Sequence, residues 1–390
     1  MLGAIIGDII GSRWEFNPTN NYDFELFSDK NSFTDDTICT VAVADALLHG
    51  SDDYGKYIHT WCRKYPNPMG GYGGRFSQWV MNDNPTPYGS FGNGSAMRVS
   101  PIGWWFDDID ELLKQASKTA SCTHNHSEGI KGAQTVALAI HYAFSLQKEI
   151  VFGTRDGMKN LMDYAIRFSG YNISIRKEQV CNRFDETCLG TVPVALWIIN
   201  QSNGFEDAIR RAVSLGADAD TLGATVGSIA EAIWGIPLDL RERAESYLPE
   251  EMIAVIRDFY NSERITKKRI AHFAEKYIYY FENEFGNPKS YYDFFDTSTF
   301  PNECWNLGFE MDCGHSFIEL YGESAWNSKD GLSAIIDRIN DVKVAGAALF
   351  SQWRCFNHWS YSGPTEEDKE WFIMLFRRLQ ELVMPVNQTK

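Results

Sequence analysis

Apolar residues recur at three- and four-residue spacing along most of this chain, and that period predicts helices rather than strands. The stretches that carry it are residues 2–10, 41–48 continuing a run begun at Thr37, 109–121, 127–146, 157–169, 191–199, 205–215, 221–234 and 250–261. The first two mix small residues with aliphatics, a composition that lets helix backbones approach closely. No set of segments shows clean period-2 alternation, so the expectation is an all-α domain. Between the helices lie long Gly-, Pro- and Asn-rich loops at 66–74 and 82–94, and loops of that length in a compact domain more often serve function than mere connection.

After residue 261 the pattern changes. Lys267, Lys268 and Arg269 open a segment rich in Tyr, Phe and Trp, which places a boundary near 264 and divides the chain into 1–264 and 265–390. Helices are predicted there at 277–285, 330–339 and 369–383. The 350–362 stretch, with Trp353, Arg354, His358 and Trp359, reads as aromatic core, with an aromatic pocket as the alternative. A chain of 390 residues agrees with more than one unit.

Composition narrows the function classes. Hydrophobic residues at 44% and charged residues at 23% are ordinary globular usage, so disorder is not expected. A formal net charge of −16 disfavours broad binding to nucleic acid or anionic membrane. Eight cysteines without a CxxC pair give no zinc finger and read as buried free thiols. The opening Met1 to Asp8 lacks a basic region and is broken by Asp8, and no apolar run of about 18 residues follows. A reducing cytoplasm fits these features best.

Candidate chemistry sits in two acidic clusters, Thr34-Asp35-Asp36-Thr37 and Asp218-Ala219-Asp220-Thr221. Each sets carboxylates beside hydroxyls with no Cys or His, a donor set for a hard cation, Mg²⁺ or Mn²⁺ before Ca²⁺. If the fold brings both together, about four negative charges meet and need roughly two divalent cations between them. The competing explanation is that Asp35 and Asp218 cap helices. Glu15, flanked by Trp14 and Phe16 just past a helix, is a candidate acid or base because aromatic surroundings raise a carboxyl pKa. The Gly-rich run from Gly89 to Arg98 suits an anion cradle, with Ser90, Phe91 and Asn93 available to a ligand and Ser95 as an N-cap in the alternative. His124 precedes a helix, where it contacts phosphate or ribose, faces solvent, or caps.

Taken in order, Gly7-Asp8 with Glu15, Thr34-Asp35-Asp36-Thr37, Gly92-Asn93-Gly94-Ser95-Ala96-Met97-Arg98, Thr123-His124 and Gly216-Ala217-Asp218-Ala219-Asp220-Thr221 resemble the ADP-ribosylglycohydrolases, a family that includes the dinitrogenase reductase-activating glycohydrolase. The resemblance covers about residues 1–262. It implies an orthogonal multi-helix all-α domain holding two divalent cations, Mg²⁺ or Mn²⁺, with Thr34, Asp35, Asp36, Asp218, Asp220 and Thr221 as ligands. It also implies that Glu15, with Asp35 and Asp36, carries catalysis, and that Ser90, Phe91, Gly92, Asn93, Gly94 and His124 line the ADP-ribose. Ala219 departs from the hydroxyl residue many relatives carry, without loss of a carboxylate.

The expected activity is hydrolysis at ribose C1″ of an ADP-ribosylated acceptor, by default ADP-ribosyl-arginine on protein. Two other readings stay open: an inactive relative that binds ADP-ribose, and a dinuclear-metal nucleotide phosphohydrolase. Residues 265–390 have no counterpart in the minimal family domain, and the resemblance assigns them no role.

Overall fold

The computed structural model describes residues 1–153, 156–291, 299–359 and 365–384, with side chains at 290, 358 and 359 excepted. Among these residues every regular element is helical, and a single isolated β-bridge joins Gly92 to Thr187. No described helix is long and apolar enough to cross a membrane. The chain divides into two compact units, Met1–Ser262 and Glu263–Lys390.

In the first unit, α1 (Leu2–Gly11), α2 (Asp35–Leu48), α3 (Tyr54–Lys64), α4 (Ile109–Ser121), α5 (Ser127–Ser145), α6 (Cys188–Gln201), α7 (Phe205–Val213), α8 (Ala219–Trp234) and α9 (Glu250–Asn261) are the principal helices. Helices Gly74–Met81 and Leu238–Glu245, with α3, add to the predicted elements, and α3 turns Tyr54, Ile58, Trp61 and Cys62 inward along one face. The centre is α8. Every residue from Ala219 to Ile233 is buried, and it packs on α1, α5, α6 and α7.

Its contact with α1 is unusually close, for a reason written in both helices. Gly3, Gly7 and Gly11 recur every four residues and so share one face of α1; Gly227, Gly223 and Ala219 do the same on α8. A Cβ built on Gly3 falls 2.2 Å from the Gly227 carbonyl oxygen, on Gly7 2.0 Å from that of Gly223, and on Gly11 2.3 Å from that of Ala219. Rising positions on α1 meet falling positions on α8, so the helices run antiparallel and touch backbone to backbone. The seam therefore lays the C-terminal end of α1, with Asp8 beside Gly7, against the N-terminal end of α8, with Asp218 and Asp220.

In the second unit, the basic run at 267–269 lies inside α10 (Glu263–Tyr279), which begins well before the predicted helix at 277–285 and ends in a π-helical turn, Tyr280–Glu284. The predicted 330–339 helix breaks into Lys329–Ser333 and a 3₁₀ turn, Ile336–Arg338. Helix α11 (Val342–Trp359) spans the aromatic stretch, and α12 is Glu366–Val383. Phe350 and Trp353 are buried as core, whereas Arg354 is exposed; the side chains of His358 and Trp359, and residues 360–362, lie outside the described residues. Stacked rings join α10 and its π turn to α12: Tyr277 on Phe376 at 5.6 Å and Phe281 on Phe372 at 5.0 Å. The thiols are free, but only Cys39, Cys62, Cys188 and Cys304 are buried, and Cys313 is exposed.

Candidate active site

The first acidic cluster sits at the start of α2. Thr34 is the N-cap, its Oγ1 accepting from the Asp36 amide at 3.2 Å, so Thr34 rather than Asp35 caps and both aspartates enter the first turn. Behind them stands Asp8 of α1, fully buried. Its Oδ1 accepts from Thr34 Oγ1 at 2.8 Å, and its Oδ2 accepts from the Thr34 amide at 3.0 Å, the Thr37 amide at 3.1 Å and the Thr37 hydroxyl. A carboxylate from one helix thus serves the free amides at the N-terminus of another. Burial still outweighs these four bonds, and the Asp8 carboxyl is pushed up to about 6.

The second cluster opens α8. Gly216, at φ +69°, turns the chain out of the preceding loop, and Asp218 occupies the N-cap position without making a side-chain cap bond. Its carboxylate is committed elsewhere: Oδ2 accepts from Asn93 Nδ2 at 2.7 Å, and the same amide group donates to Thr191 Oγ1 at 3.0 Å. The capping explanation therefore fails for the Asp218 side chain. Thr221 Oγ1 donates to Asp36 Oδ2 at 3.2 Å and links the two clusters directly.

Carboxylate oxygens of Asp8, Asp36 and Asp220 lie within 4.8 Å of one another, and so do those of Glu15, Asp218 and Asp220. Asp220 belongs to both groups and joins them. Asp36 Oδ1, Asp220 Oδ1 and Glu15 Oε2 are buried with no hydrogen-bond partner among the described residues. Burial and then neighbouring charge raise the carboxyls of Asp36 and Asp220 well above the usual range, and Asp218 is raised by burial first. Orphaned buried oxygens that repel one another are what a hard cation removes on binding, and an all-oxygen donor set suits such an ion. Asp35 is half-buried and lies in neither group; burial and the Asp8 charge push it up to about 7.

Glu15 follows a short 3₁₀ turn, Ser12–Trp14, that extends α1. Its carboxyl is pushed up to about 8, chiefly by burial and then by the charges of Asp218, Asp35, Asp8 and Glu186. Trp14 packs edge-on against Phe24, while Phe16 is 71% exposed and adds little to that burial. The 66–74 loop reaches the same carboxylate: a Cβ at Gly70, already at φ +76°, would stand 2.5 Å from Glu15 Oε2.

The Gly-rich loop lies alongside. Asn93, not Ser95, is the N-cap of the short helix Gly94–Met97, and Ser95 is buried with its hydroxyl on the Gly129 carbonyl at 2.7 Å. Several amides expected to cradle an anion are already used: Gly89 on Asn125 Oδ1 at 2.7 Å, Gly92 on Ser90 Oγ at 3.2 Å and Asn93 on the Glu186 carbonyl at 2.7 Å. Phe91 stays 49% exposed, edge-on to His126. His124 is buried, 5% exposed, and His126 is the capping histidine, accepting from the Glu128 amide at 3.1 Å. His124 Nδ1 lies 2.7 Å from Thr123 Oγ1, and Nε2 lies against Gly92 and Gly94. Beside Asp218 opens a cavity of about 290 Å³ whose wall includes Arg183, Asp185, Leu189, Thr191 and Val194.

Sequence reasoning missed Asp8 as a member of the acidic group and Glu186 as a neighbouring charge. The available signal for Asp8 was a lone carboxylate inside an apolar, Gly-spaced helix.

The ADP-ribosylglycohydrolase profile matches residues 1–274. ADP-ribosylarginine hydrolase Tri1 of Pseudomonas putida is 28% identical over 276 residues, covering 60% of this chain and 70% of that protein. ADP-ribosylhydrolase ARH3 of Danio rerio is 25% identical, covering 60% of this chain and 82% of that protein, and the Homo sapiens protein of the same name is 24% identical over 65% and 90%. The profile match takes in well over half of the chain, along with both acidic clusters, Glu15 and the Gly-rich loop, and it makes this chain a member of the ADP-ribosylglycohydrolase family of glycosidic-bond hydrolases.

Proposed function

We propose that the chain is a metal-dependent hydrolase that releases ADP-ribose from an ADP-ribosylated protein, by default from arginine, through cleavage at ribose C1″. The observation that carries this reading is the convergence on Asp220 of the Asp8, Asp36, Asp218 and Glu15 carboxylates, with buried oxygens of Asp36, Asp220 and Glu15 that have no hydrogen-bond partner among the described residues. The name of the Tri1 relative, an ADP-ribosylarginine hydrolase, supports arginine as the first acceptor to test.

Asp36, Asp218, Asp220, Thr34 and Thr221 would hold two divalent cations, Mg²⁺ or Mn²⁺, with Asp8 and Asp35 beside them. When bound, such ions orient hydroxyls and lower the pKa of water. The remaining work belongs to the chain's own residues. Departure of the acceptor builds positive charge on the ribose ring, and the surrounding carboxylates favour that charge. With the neighbouring negative charges that, after burial, keep Glu15 protonated offset by bound cations, the ionised Glu15, whose Oε2 has no hydrogen-bond partner among the described residues, would accept the proton of the attacking water. Asn93 keeps Asp218 in place, and Phe91 and His124 are the residues we assign to contact with the nucleotide.

The test is product analysis with ADP-ribosylated arginine, serine and nucleobase substrates in Mg²⁺ or Mn²⁺. Free ADP-ribose from one of them supports the proposal. AMP or phosphate would identify a phosphohydrolase, and tight ADP-ribose binding without any product would identify an inactive relative.

A further inference from the structure

Among the described residues Arg98 is the largest fully buried side chain, yet it makes no ion pair there, and its Nε and Nη1 have no hydrogen-bond partner there. Its Nη2 donates to the Thr119 carbonyl and to Thr123 Oγ1, each at 2.7 Å, and approaches Cys122 Sγ at 3.7 Å. A buried guanidinium with so few acceptors is costly, which asks for a compensating role.

The hydrogens on these atoms can be followed one by one. Arg98 can only donate, so Thr123 Oγ1 accepts from it and keeps its single hydroxyl hydrogen for another group. Thr123 is fully buried, and the acceptors beside its hydroxyl are His124 Nδ1 at 2.7 Å and the sulfur of Cys122, a much weaker one. Were Nδ1 itself protonated, Thr123 would face two donors and its own hydrogen would be left with only the weak sulfur acceptor of Cys122. Nδ1 is therefore unprotonated, and the neutral ring carries its hydrogen on Nε2. That atom lies 3.4 Å and 3.2 Å from the positions a Cβ would take on Gly92 and Gly94, against the Gly-rich loop. Burial, and then the nearby Arg98 charge, holds the imidazole well below its usual pKa, which agrees with a neutral ring.

We infer that Arg98, acting through Thr123, is a positioning residue that locks His124 in the Nε2–H tautomer and so presents a fixed hydrogen-bond donor to a phosphate or ribose oxygen of the ligand lying over the Gly-rich loop. The ligand half of this inference rests on the function proposed above, and the tautomer half does not.

The test uses the full chain with ¹⁵N-labelled histidine. Long-range ¹H–¹⁵N correlation, with His124→Gln for assignment, should show the Nε2–H form in the wild type. Thr123→Val should move His124 toward the Nδ1–H form and weaken ADP-ribose binding about tenfold by calorimetry, the scale of one lost hydrogen bond. Thr123→Ser should restore both. Arg98→Met should behave as Thr123→Val, and because losing Arg98 can unfold the protein, Thr123→Val is the deciding variant. An Nδ1–H ring in the wild type, or unchanged tautomer and affinity in Thr123→Val, overturns the relay. A wild-type Nε2–H ring that shifts in Thr123→Val without any ADP-ribose binding keeps the relay and overturns the proposed ligand, and with it the proposed function.

Discussion

Replacing Gly7 by Ala tests whether the glycine seam builds the acidic site. The new Cβ would lie 2.0 Å from the Gly223 carbonyl oxygen, whereas ordinary contact begins at 3.4 Å, so α1 and α8 must separate by about 3.4 − 2.0 = 1.4 Å. The obstructing atoms, the carbonyl oxygen and carbon of Gly223 and the amide nitrogen of Ala224, are all backbone, so no side chain can rotate away. Overpacking of this kind costs roughly 1–3 kcal/mol, and the neighbouring Gly3 and Gly11 contacts open with it, which puts the expected loss near 3 kcal/mol. The same shift moves Asp8 away from Asp220, while a cation site tolerates ligand displacements of only about 0.2 Å. Urea unfolding followed by circular dichroism should show the loss of stability, and Mn²⁺ titration followed by electron paramagnetic resonance should show affinity falling at least about tenfold. Gly204→Ala is the control, since that residue is extended at φ 177° and a Cβ there meets nothing within 4 Å. A Gly7→Ala protein with wild-type midpoint and wild-type Mn²⁺ affinity would refute the reasoning.

Asp220→Asn removes the carboxylate common to both groups, so Mn²⁺ affinity should drop more than about a hundredfold, while the metal-free protein becomes more stable because repulsion is relieved; calorimetric titration and thermal unfolding read the two effects, and retained affinity contradicts the assignment. The carboxyls of Asp8 and Asp35 stand at about 6 and about 7 against an ordinary 3.8, so the folded metal-free protein holds protons that the unfolded chain has released. Their contribution therefore falls as pH rises from about 4 to about 7, and with chelator present the melting temperature should be lower at pH 8 than at pH 5.5, a difference that saturating Mg²⁺ shrinks. Equal pH dependence with and without Mg²⁺ would show that this cluster is not where the ion binds. Asn93→Ala strips the amide from Asp218 and should weaken Mn²⁺ binding about tenfold without unfolding the protein, as judged by an unchanged circular dichroism spectrum.

Which parts of this design could be read in one dimension follows from the range of the forces involved. Helix periodicity is local, so the spans 109–121 and 250–261 agree residue for residue with the structure. Where a helix opens with charged residues, as in Glu263–Tyr279, the local signal thins and its start is missed. The aspartates at 35, 36, 218 and 220 stood out because acids beside hydroxyls in small, apolar surroundings are conspicuous in sequence. Asp8 did not, because its value lies in the amides of a distant helix that it serves.

The sequence by itself determined the helical class, the hard-oxygen donor set and the family to which the chain belongs. The tertiary structure alone decided that Asp220 joins two acidic groups, that Asn93 spends its amide on Asp218, and that Arg98 reaches His124 through Thr123. The physical reason is distance: Asp8 and Asp220 become neighbours only because glycines on α1 and α8 allow two backbones to touch, and no residue can signal alone what will be packed against it.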